Sequence, residues 1–253
     1  MGQPHLSTCR ARSYIRREAW PSEKRWCGNV EPLQTVGVLA DIWPIFRLRI
    51  ETPRLVLRLP EEPELVALAD LAAAGVHRPD ERPFLTPWAE GSPQDRTRSV
   101  LQGHWGRLAD WEPDSWSLGL GAFTKDAGEP RGLIGLRAND FRVVREVSTW
   151  SWIGLAHQGQ GLGTELRHGI LTLAFDHLGA LDATTGVFQD NHASQGVSRK
   201  LGYEHDGITR DRRGEEWLVS DRLRLTKDRW DARAELLDIT VTGLEEESRA
   251  LFG

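Results

Sequence analysis

The chain contains 253 residues, of which 39% are hydrophobic and 27% charged, and its formal net charge is -5. This length suits one packed domain with short extensions, and the acidic balance argues against a nucleic-acid partner bound through a basic face. No apolar stretch approaches the roughly 20 residues that cross a bilayer, and no secretory hydrophobic region follows the amino terminus, so we expect a cytoplasmic protein without a membrane partner.

Residues 1–40 differ in pattern from the rest of the chain. The first thirty residues contain six basic and two acidic side chains and show no sustained period of 2 or 3.6. We expect residues 1–40 to form a disordered or weakly ordered extension. Because Met1 is the only methionine, a translation start near Val36 or Val38 is an open alternative. Both cysteines lie in this segment without metal-type spacing, so neither a metal site nor a disulfide framework is expected.

The regular pattern begins with a strand and two helices. Apolar and charged residues alternate over 46–59 around Thr52-Pro53, which predicts one strand with a break. A helix is predicted over Glu61–Ala74, and a long loop follows. A second helix is predicted from a cap at Ser92 to about Trp111, with Pro93 at its first position.

The remaining pattern alternates strands with helices. The predicted elements are a hairpin over 115–124 and 131–140, a strand over 146–155, a helix after residue 161, a strand over 184–188, a helix over 193–201 and a final strand over 216–226. This order predicts an α/β (α+β) fold with a mixed central sheet and helices on both faces. We expect the domain to cover 41–230, and 231–253 to form a carboxyl-terminal appendix whose structure the pattern leaves open.

Two phrases at a fixed distance carry the functional signal. The first is Gln158-Gly159-Gln160-Gly161-Leu162-Gly163-Thr164-Glu165, between an apolar strand and an amphipathic helix. Glycines let a backbone come close to a phosphate, and the N–H groups at a helix N-terminus favour anions. The second phrase runs from Asn191 and Ser194 to Lys200-Leu201-Gly202-Tyr203, where another strand and helix return to the same end of the sheet. Together the two phrases indicate a site for an acyl-coenzyme A.

Taken alone, the glycine phrase leaves two alternatives open. A dinucleotide-binding turn is one, because Asp182 lies at a suitable distance to bind a ribose. The spacing differs from G-x-G-x-x-G and the phrase lies in the middle of the chain, which disfavours that alternative. The other is a tight strand-to-helix turn without any ligand.

The pattern Gln158-x-x-Gly161-x-Gly163 resembles the Q/R-x-x-G-x-G/A signature of the GCN5-related N-acetyltransferases (GNAT). Thr164-Glu165, Asn191-x-x-Ser194 and Lys200-Leu201-Gly202-Tyr203 are similar to the RimJ/RimL-type branch, which acylates protein N-terminal and other small amines. The resemblance covers roughly residues 46–230. It implies a GNAT fold with a mixed, mostly antiparallel sheet, and an enzyme that uses acetyl-CoA or another acyl-CoA, such as succinyl-CoA, without a metal.

The same resemblance implies roles for individual residues. Backbone N–H groups of the glycine phrase would hold the pyrophosphate, and the edge of the preceding strand would pair with the pantetheine. Asn191 would hydrogen-bond the pantetheine arm, and Ser194 would protonate the leaving thiolate as the catalytic residue. Helix capping is the structural alternative for both. The implied CoA-binding residues are Ile153, Gly154, Leu155, Gln158, Gly159, Gln160, Gly161, Leu162, Gly163, Thr164 and Asn191.

The proton-transfer groups are less well defined. Many GNAT members place a tyrosine seven residues after the asparagine, whereas position 198 here is a serine. Tyr203 is the nearest phenol, and we expect it to be structural. Glu146, Asp190 and His192 are candidate general bases, and spacing singles out none of them.

The resemblance implies a primary amine as acceptor, on a small molecule or at a protein N-terminus or lysine, and a homodimer as a possible assembly. The amine would attack the thioester directly within a ternary complex. Two rivals stay open: a CoA-binding regulatory module without turnover, and a nucleotide-dependent oxidoreductase.

Overall fold

The structure, a computed structural model, describes residues 39–234 and 237–253. All but the last two positions of the predicted amino-terminal extension, and both cysteines, lie outside the described residues. The strands are β1 (Arg49–Glu51), β2 (Leu55–Arg58), β3 (Ser115–Thr124), β4 (Pro130–Asn139), β5 (Glu146–Ile153), β6 (Asp182–Phe188), β7 (Glu204–Arg213), β8 (Glu216–Thr226) and β9 (Thr240–Thr242).

The helices are α1 (Leu39–Ile42), α2 (Glu62–Ala74), α3 (Pro93–Ala109), α4 (Phe141–Val144), α5 (Leu162–Thr172), α6 (His192–Lys200), α7 (Lys227–Asp231) and α8 (Glu246–Arg249). Short 3-10 turns cover Pro44–Arg47, Leu155–His157 and Ala250–Phe252, and a π-helical turn, Leu173–His177, continues α5. No helix within the described ranges is long and apolar enough to cross a membrane.

The strands form one sheet in the order β7-β8-β6-β5-β4-β3-β2-β1-β9. Seven of the eight strand pairings in the described part of the chain are antiparallel, and β5 with β6 is the parallel one. The mixed, mostly antiparallel sheet implied by the resemblance is confirmed. A doubly wound dinucleotide-binding fold requires a mostly parallel sheet, so that alternative does not fit.

Helices pack on both faces of the sheet, because alternate residues of each strand point to opposite faces. On one face, Leu166 and Ile170 of α5 share a core with Leu136 of β4. On the other face, α2 and α3 pack in a second core with Leu133 of β4 and Trp152 of β5. We refer to these as the α5 face and the α2/α3 face.

Residues 46–59 differ from the predicted single broken strand. They form β1 and β2, two antiparallel strands in which Arg49 pairs with Arg58. The N–H of Thr52 donates to Leu55 O over 2.9 Å and closes a four-residue turn, with Pro53 at its second position. The prediction was wrong because period-2 alternation looks the same in one strand and in two strands that share a tight turn.

The predicted start of α3 is confirmed. The side chain of Ser92 accepts from the N–H of Asp95 over 3.2 Å, and Pro93 is the first helical residue. The helix ends at Ala109, two residues before the predicted end at Trp111.

The carboxyl-terminal residues contact the same core. Strand β9 pairs with β1 and forms one edge of the sheet. The indoles of Trp111 and Trp116 donate to the carbonyls of Leu251 and Phe252 over 2.8 and 3.1 Å. Phe252 is itself 1% exposed. The carboxyl-terminal residues therefore pack against the core on the α5 face as well as accepting these hydrogen bonds.

Candidate active site

A wedge-shaped cleft opens between β5 and β6. The two strands pair only at Glu146–Ser148 and Asp182–Thr184. Beyond these three pairs β5 continues to Ile153 and β6 to Phe188, but the two strands do not pair with each other there. Over this separated part, the backbone N–H and C=O groups that the two strands turn toward each other do not form hydrogen bonds with one another.

Backbone direction identifies which groups of β5 face this cleft. The N–H of Gly154 donates to Arg131 O at the end of β4, and the carbonyl of Thr149 accepts from the hydroxyl of Thr185 in β6. Because backbone groups alternate along a strand, Ser151 and Ile153 also face the β6 side. The carbonyl of Ile153 already accepts from Gln158 Nε2 over 3.0 Å. Ser151 and the N–H of Ile153 can therefore pair with an extended ligand.

The glycine phrase connects this edge to the N-terminus of α5. Gly159 and Gly161 have φ values of 75° and 79°, a region that favours glycine. The first helical hydrogen bond runs from the N–H of Glu165 to Gly161 O over 3.2 Å. The N–H groups of Leu162, Gly163 and Thr164 come before that bond in the chain. They lie at the N-terminus of the helix, which carries a partial positive charge. This arrangement can hold a phosphate.

One side-chain and one backbone hydrogen bond hold the glycine loop in place. Gln158 Nε2 donates to Val76 O over 2.8 Å, and the N–H of Leu155 donates to Gly75 O over 2.9 Å. Both bonds tie the loop to the end of α2. Gln158 therefore anchors the loop through its side chain, a role the resemblance did not specify.

The turn between β1 and β2 reaches the glycine loop, which the sequence analysis missed. Glu165 is 5% exposed and accepts from Thr52 Oγ1 and from the N–H and Nε of Arg54 over 2.7, 2.7 and 2.6 Å. Arg54 Nη1 also donates to Gln160 O over 3.0 Å. The guanidinium is half exposed, so it places a positive charge beside the loop. The sequence signal for this contact is Glu165 itself, an acidic residue on the side of α5 that faces the core.

A polar network closes the cleft on the α5 face. Arg167, 4% exposed, donates to Thr149 Oγ1 over 2.7 Å and to Ser151 Oγ over 3.3 Å. The hydroxyls of Thr149 and Tyr203 lie 3.3 Å apart. Tyr203 therefore fills the bottom of the cleft from within the core. Ser198, at the position of the usual tyrosine, is fully buried.

Asn191 and Ser194 stand at the start of α6. Asn191 Oδ1 accepts from the N–H of Ser194 over 3.1 Å, and its Nδ2 donates to Pro83 O over 3.2 Å. The capping alternative is thus confirmed, and Asn191 also fixes the long loop to β6. Ser194 is partly exposed in the first helical turn.

The long loop between α2 and α3 forms an aromatic wall on the α2/α3 face. Trp152 of β5 contacts Trp88 with ring centroids 5.7 Å apart, and Trp88 contacts Phe84 at 5.1 Å. A Cβ on Gly186 of β6 would lie 3.3 Å from Leu85 Cδ1. The loop therefore reaches from β5 to the separated part of β6.

The candidate bases are engaged in ion pairs or exposed. Glu146 accepts from Arg224 Nη1 over 2.7 Å at the closed end of the cleft. Asp190 forms a bidentate pair with Arg213 at 2.8 Å, and these hydrogen bonds lower the pKa of the Asp190 carboxyl. His192 is exposed. Among residues 39–234 and 237–253, no group of three or more His, Cys, Asp or Glu side chains could hold a metal ion.

Comparisons with known proteins agree with this geometry. The family described as acetyltransferase (GNAT) domain matches residues 54–204, more than half of the chain. A GCN5-related N-acetyltransferase from Brucella melitensis has a similar fold, with a TM-score of 0.57 and 15% identity over 73% of this chain and 80% of that one. RimL, a ribosomal-protein α-N-acetyltransferase in complex with coenzyme A, has a TM-score of 0.55 and 16% identity over 70% and 97%.

A third structure of similar fold is a chimera of the Vibrio cholerae spermidine N-acetyltransferase SpeG and hSSAT, with a TM-score of 0.55 and 16% identity over 71% of this chain and 99% of that one. At these identities the structural comparisons show the fold alone. The family match covers the cleft, the glycine loop and the start of α6 together. The chain belongs to the acetyltransferase (GNAT) family and is an N-acetyltransferase of that family.

Proposed function

We propose that this protein transfers an acetyl or related acyl group from acyl-CoA to a primary amine by direct attack within a ternary complex. The observation that carries the proposal is the separation of β5 from β6 after Ser148, which leaves an open strand edge leading to the glycine loop. An extended pantetheine arm can add to such an edge as another strand does.

The residues present fit an acyl-CoA. Ser151 and Ile153 offer backbone groups to the pantetheine amides, and Gly154 and Leu155 continue that edge toward the loop. The N–H groups from Gly159 to Thr164 offer donors to the pyrophosphate at the N-terminus of α5. The exposed guanidinium of Arg54 adds a positive charge there. Gln158 and Gln160 support the cradle through the bonds that hold the loop.

The chemistry requires two proton movements. The amine nitrogen attacks the thioester carbonyl carbon, the C–S bond breaks, the amine loses a proton and the sulfur gains one. The Ser194 hydroxyl, in the first turn of α6, is the proton donor to the sulfur in this proposal. A thiol has a pKa of about 8.5, so the demand on that donor is modest. Positioning of the two reactants contributes most of the rate increase.

The acceptor enters from the α2/α3 face in this proposal. Arg167, Thr149 and Tyr203 fill the cleft on the α5 face, whereas Trp150 and Ser148 on the other face are partly exposed. The aromatic wall of the long loop borders this entrance. An amine on a small molecule or on a polypeptide terminus can approach along that side.

Binding and turnover measurements test the proposal against its rivals. We expect CoA, acetyl-CoA or succinyl-CoA to raise the melting temperature, and thiol release to follow with at least one amine in a mixed panel. Stabilisation by CoA without thiol release on any amine would favour a regulatory module. Stabilisation by NAD or NADP with no response to CoA would contradict the proposal.

A further inference from the structure

A second polar cluster lies on the α2/α3 face, where β5 leaves β6. Arg107, in the last part of α3, places its guanidinium carbon 4.9 Å from the ring centroid of Trp150. Trp150 follows Ser148, the last residue of β5 that pairs with β6. The cluster therefore lies beside the start of the separated part of β5.

The sheet provides space for this pair of side chains. Gly119 of β3, Gly135 of β4 and Trp150 lie opposite one another in adjacent strands. A Cβ on Gly119 would lie 2.5 Å from Arg107 Nε, and a Cβ on Gly135 would collide with the Trp150 indole. The two glycines thus form a trough in which the guanidinium and the indole lie against the backbone. The next row toward the strand ends contains Ser117, Arg137 and Ser148.

The donors of this cluster lack acceptors within the described residues. The indole Nε1 of Trp150 and the hydroxyl of Ser117 are buried without a hydrogen-bond partner. In the same part of the chain neither Arg107 nor Arg137 forms an ion pair, whereas Arg54 and Arg224 both contact carboxylates. Arg137 is exposed and Arg107 is partly buried, whereas the two buried donors cost free energy as long as they have no acceptor.

The electrostatic surroundings of Arg107 are also unusual. Burial, and then the nearby charge of Arg137, lower the pKa of Arg107 to about 10, so it remains a cation at neutral pH. Burial lowers the pKa of the neighbouring His104 to about 4, and its ring is therefore neutral. The cluster thus contains two cations and two unpaired donors, and no described carboxylate pairs with either cation. An anion beside Arg107 and Trp150 would supply the missing acceptor.

We propose that Arg107, Trp150 and Arg137 form a carboxylate subsite in the acceptor half of the cleft. The inference rests on the proposed acyl transfer. The carboxylate belongs either to a dicarboxylic acyl group or to the amine acceptor. It accepts two parallel hydrogen bonds from the planar guanidinium of Arg107. The same two cations repel polycationic amines, so a polyamine is a poor acceptor.

Matched substrates test the subsite and separate its two sources. The donor arm compares succinyl-CoA with acetyl-CoA, and the acceptor arm compares amino acids with their carboxamides, with spermidine as a cationic control. We expect a preference of about tenfold or more in kcat/KM for the carboxylate-bearing member of one pair, because a bidentate charged contact has that magnitude. The arm that shows the preference identifies the source.

Three variants connect the preference to Arg107. Arg107→Gln should abolish it, and Arg107→Lys should retain only part of it because an ammonium lacks the planar donor pair. Arg98→Gln, an exposed position in the same helix, should leave it unchanged. No preference in the wild-type protein, or a preference that survives in Arg107→Gln, would overturn the subsite.

Thermal stabilisation gives a readout that does not depend on turnover. Succinyl-CoA should raise the melting temperature more than acetyl-CoA, or an amino acid in the presence of CoA more than its carboxamide, and Arg107→Gln should remove the difference. Absence of turnover with this difference present would refute acyl transfer and keep the subsite. Turnover without any difference in stabilisation or preference would support acyl transfer and refute the subsite.

Discussion

Gly161 has a positive φ at the point where the loop enters α5, so a β-branched residue there is strained. Its backbone also stands where a phosphate would approach the helix N-terminus. We expect Gly161→Val to lower the affinity for CoA at least tenfold, measured by isothermal titration, and to lower the free energy of unfolding by about 1–2 kcal/mol.

Gly128 offers a matched control for that strain. It has a φ of 66° in the turn between β3 and β4, and a Cβ there would meet nothing within 4 Å. Gly128→Val should cost similar stability and leave CoA affinity unchanged. If Gly161→Val binds CoA as the wild type does, the loop is not the phosphate cradle.

Ser194 combines a structural position with a proposed chemical one. Its N–H bonds to Asn191, and that bond does not require the side chain. We expect Ser194→Ala to lower kcat about tenfold or more while the KM for the acyl donor stays within about twofold, because the hydroxyl acts on the leaving sulfur. Ser194→Thr, which keeps a hydroxyl, should recover part of the rate. An unchanged kcat in Ser194→Ala would leave this residue with its helical role alone.

At the level of whole elements, the β1–β2 turn and α5 are coupled through Glu165. This carboxylate accepts three hydrogen bonds from Thr52 and Arg54, and Arg54 in turn bonds to the loop at Gln160. The network sets the position of the helix N-terminus relative to the sheet. It therefore links the stability of the fold to the shape of the glycine loop.

We expect Glu165→Gln to lower the free energy of unfolding by about 1–2 kcal/mol, less than a fully buried pair would cost, since Arg54 is half exposed. CoA affinity should fall several-fold in the same variant, because Arg54 no longer holds the loop. Glu215→Gln removes a highly exposed pair with Arg212 and should change neither quantity. A stable Glu165→Gln protein with normal CoA affinity would contradict the coupling.

For the molecule as a whole, His104 makes stability depend on pH. Burial lowers its pKa in the folded protein to about 4, against an ordinary value of 6.5. Between these values the unfolded chain binds a proton at this residue and the folded chain does not, so stability falls as pH falls from 6.5 to 4.

The expected loss attributable to His104 is about 2–3 kcal/mol over that range. Denaturant unfolding of the wild type and of His104→Gln at pH 7, 5.5 and 4 measures it as a difference between the two proteins. The wild type should lose stability relative to the variant as the pH falls, since the variant has no imidazole to protonate. A constant difference across this range would show that His104 does not titrate as inferred.

Local features of the fold were predictable from the sequence. Ser92 with Pro93 marks a helix start by its own chemistry, and the glycines at 159 and 161 indicate positive φ without knowledge of the rest of the chain. Asn191 was correctly recognised as a possible helix cap. Each of these signals lies within a few neighbouring residues, which is the range over which capping and backbone preference act.

Other features required the tertiary structure. The separation of β5 from β6 depends on long-range strand pairing, and the bond between Arg54 and Glu165 joins residues 111 positions apart. The stacking of Arg107 on Trp150 and the pairing of β9 with β1 have no local pattern either. Local periodicity and short motifs were sufficient to predict most of the elements between α2 and β8, the glycine phrase and the family resemblance, but not the division of residues 46–59 into two strands. Contacts between segments far apart in the chain close the α5 face of the cleft and place Arg107 beside Trp150, so no local pattern could predict either feature.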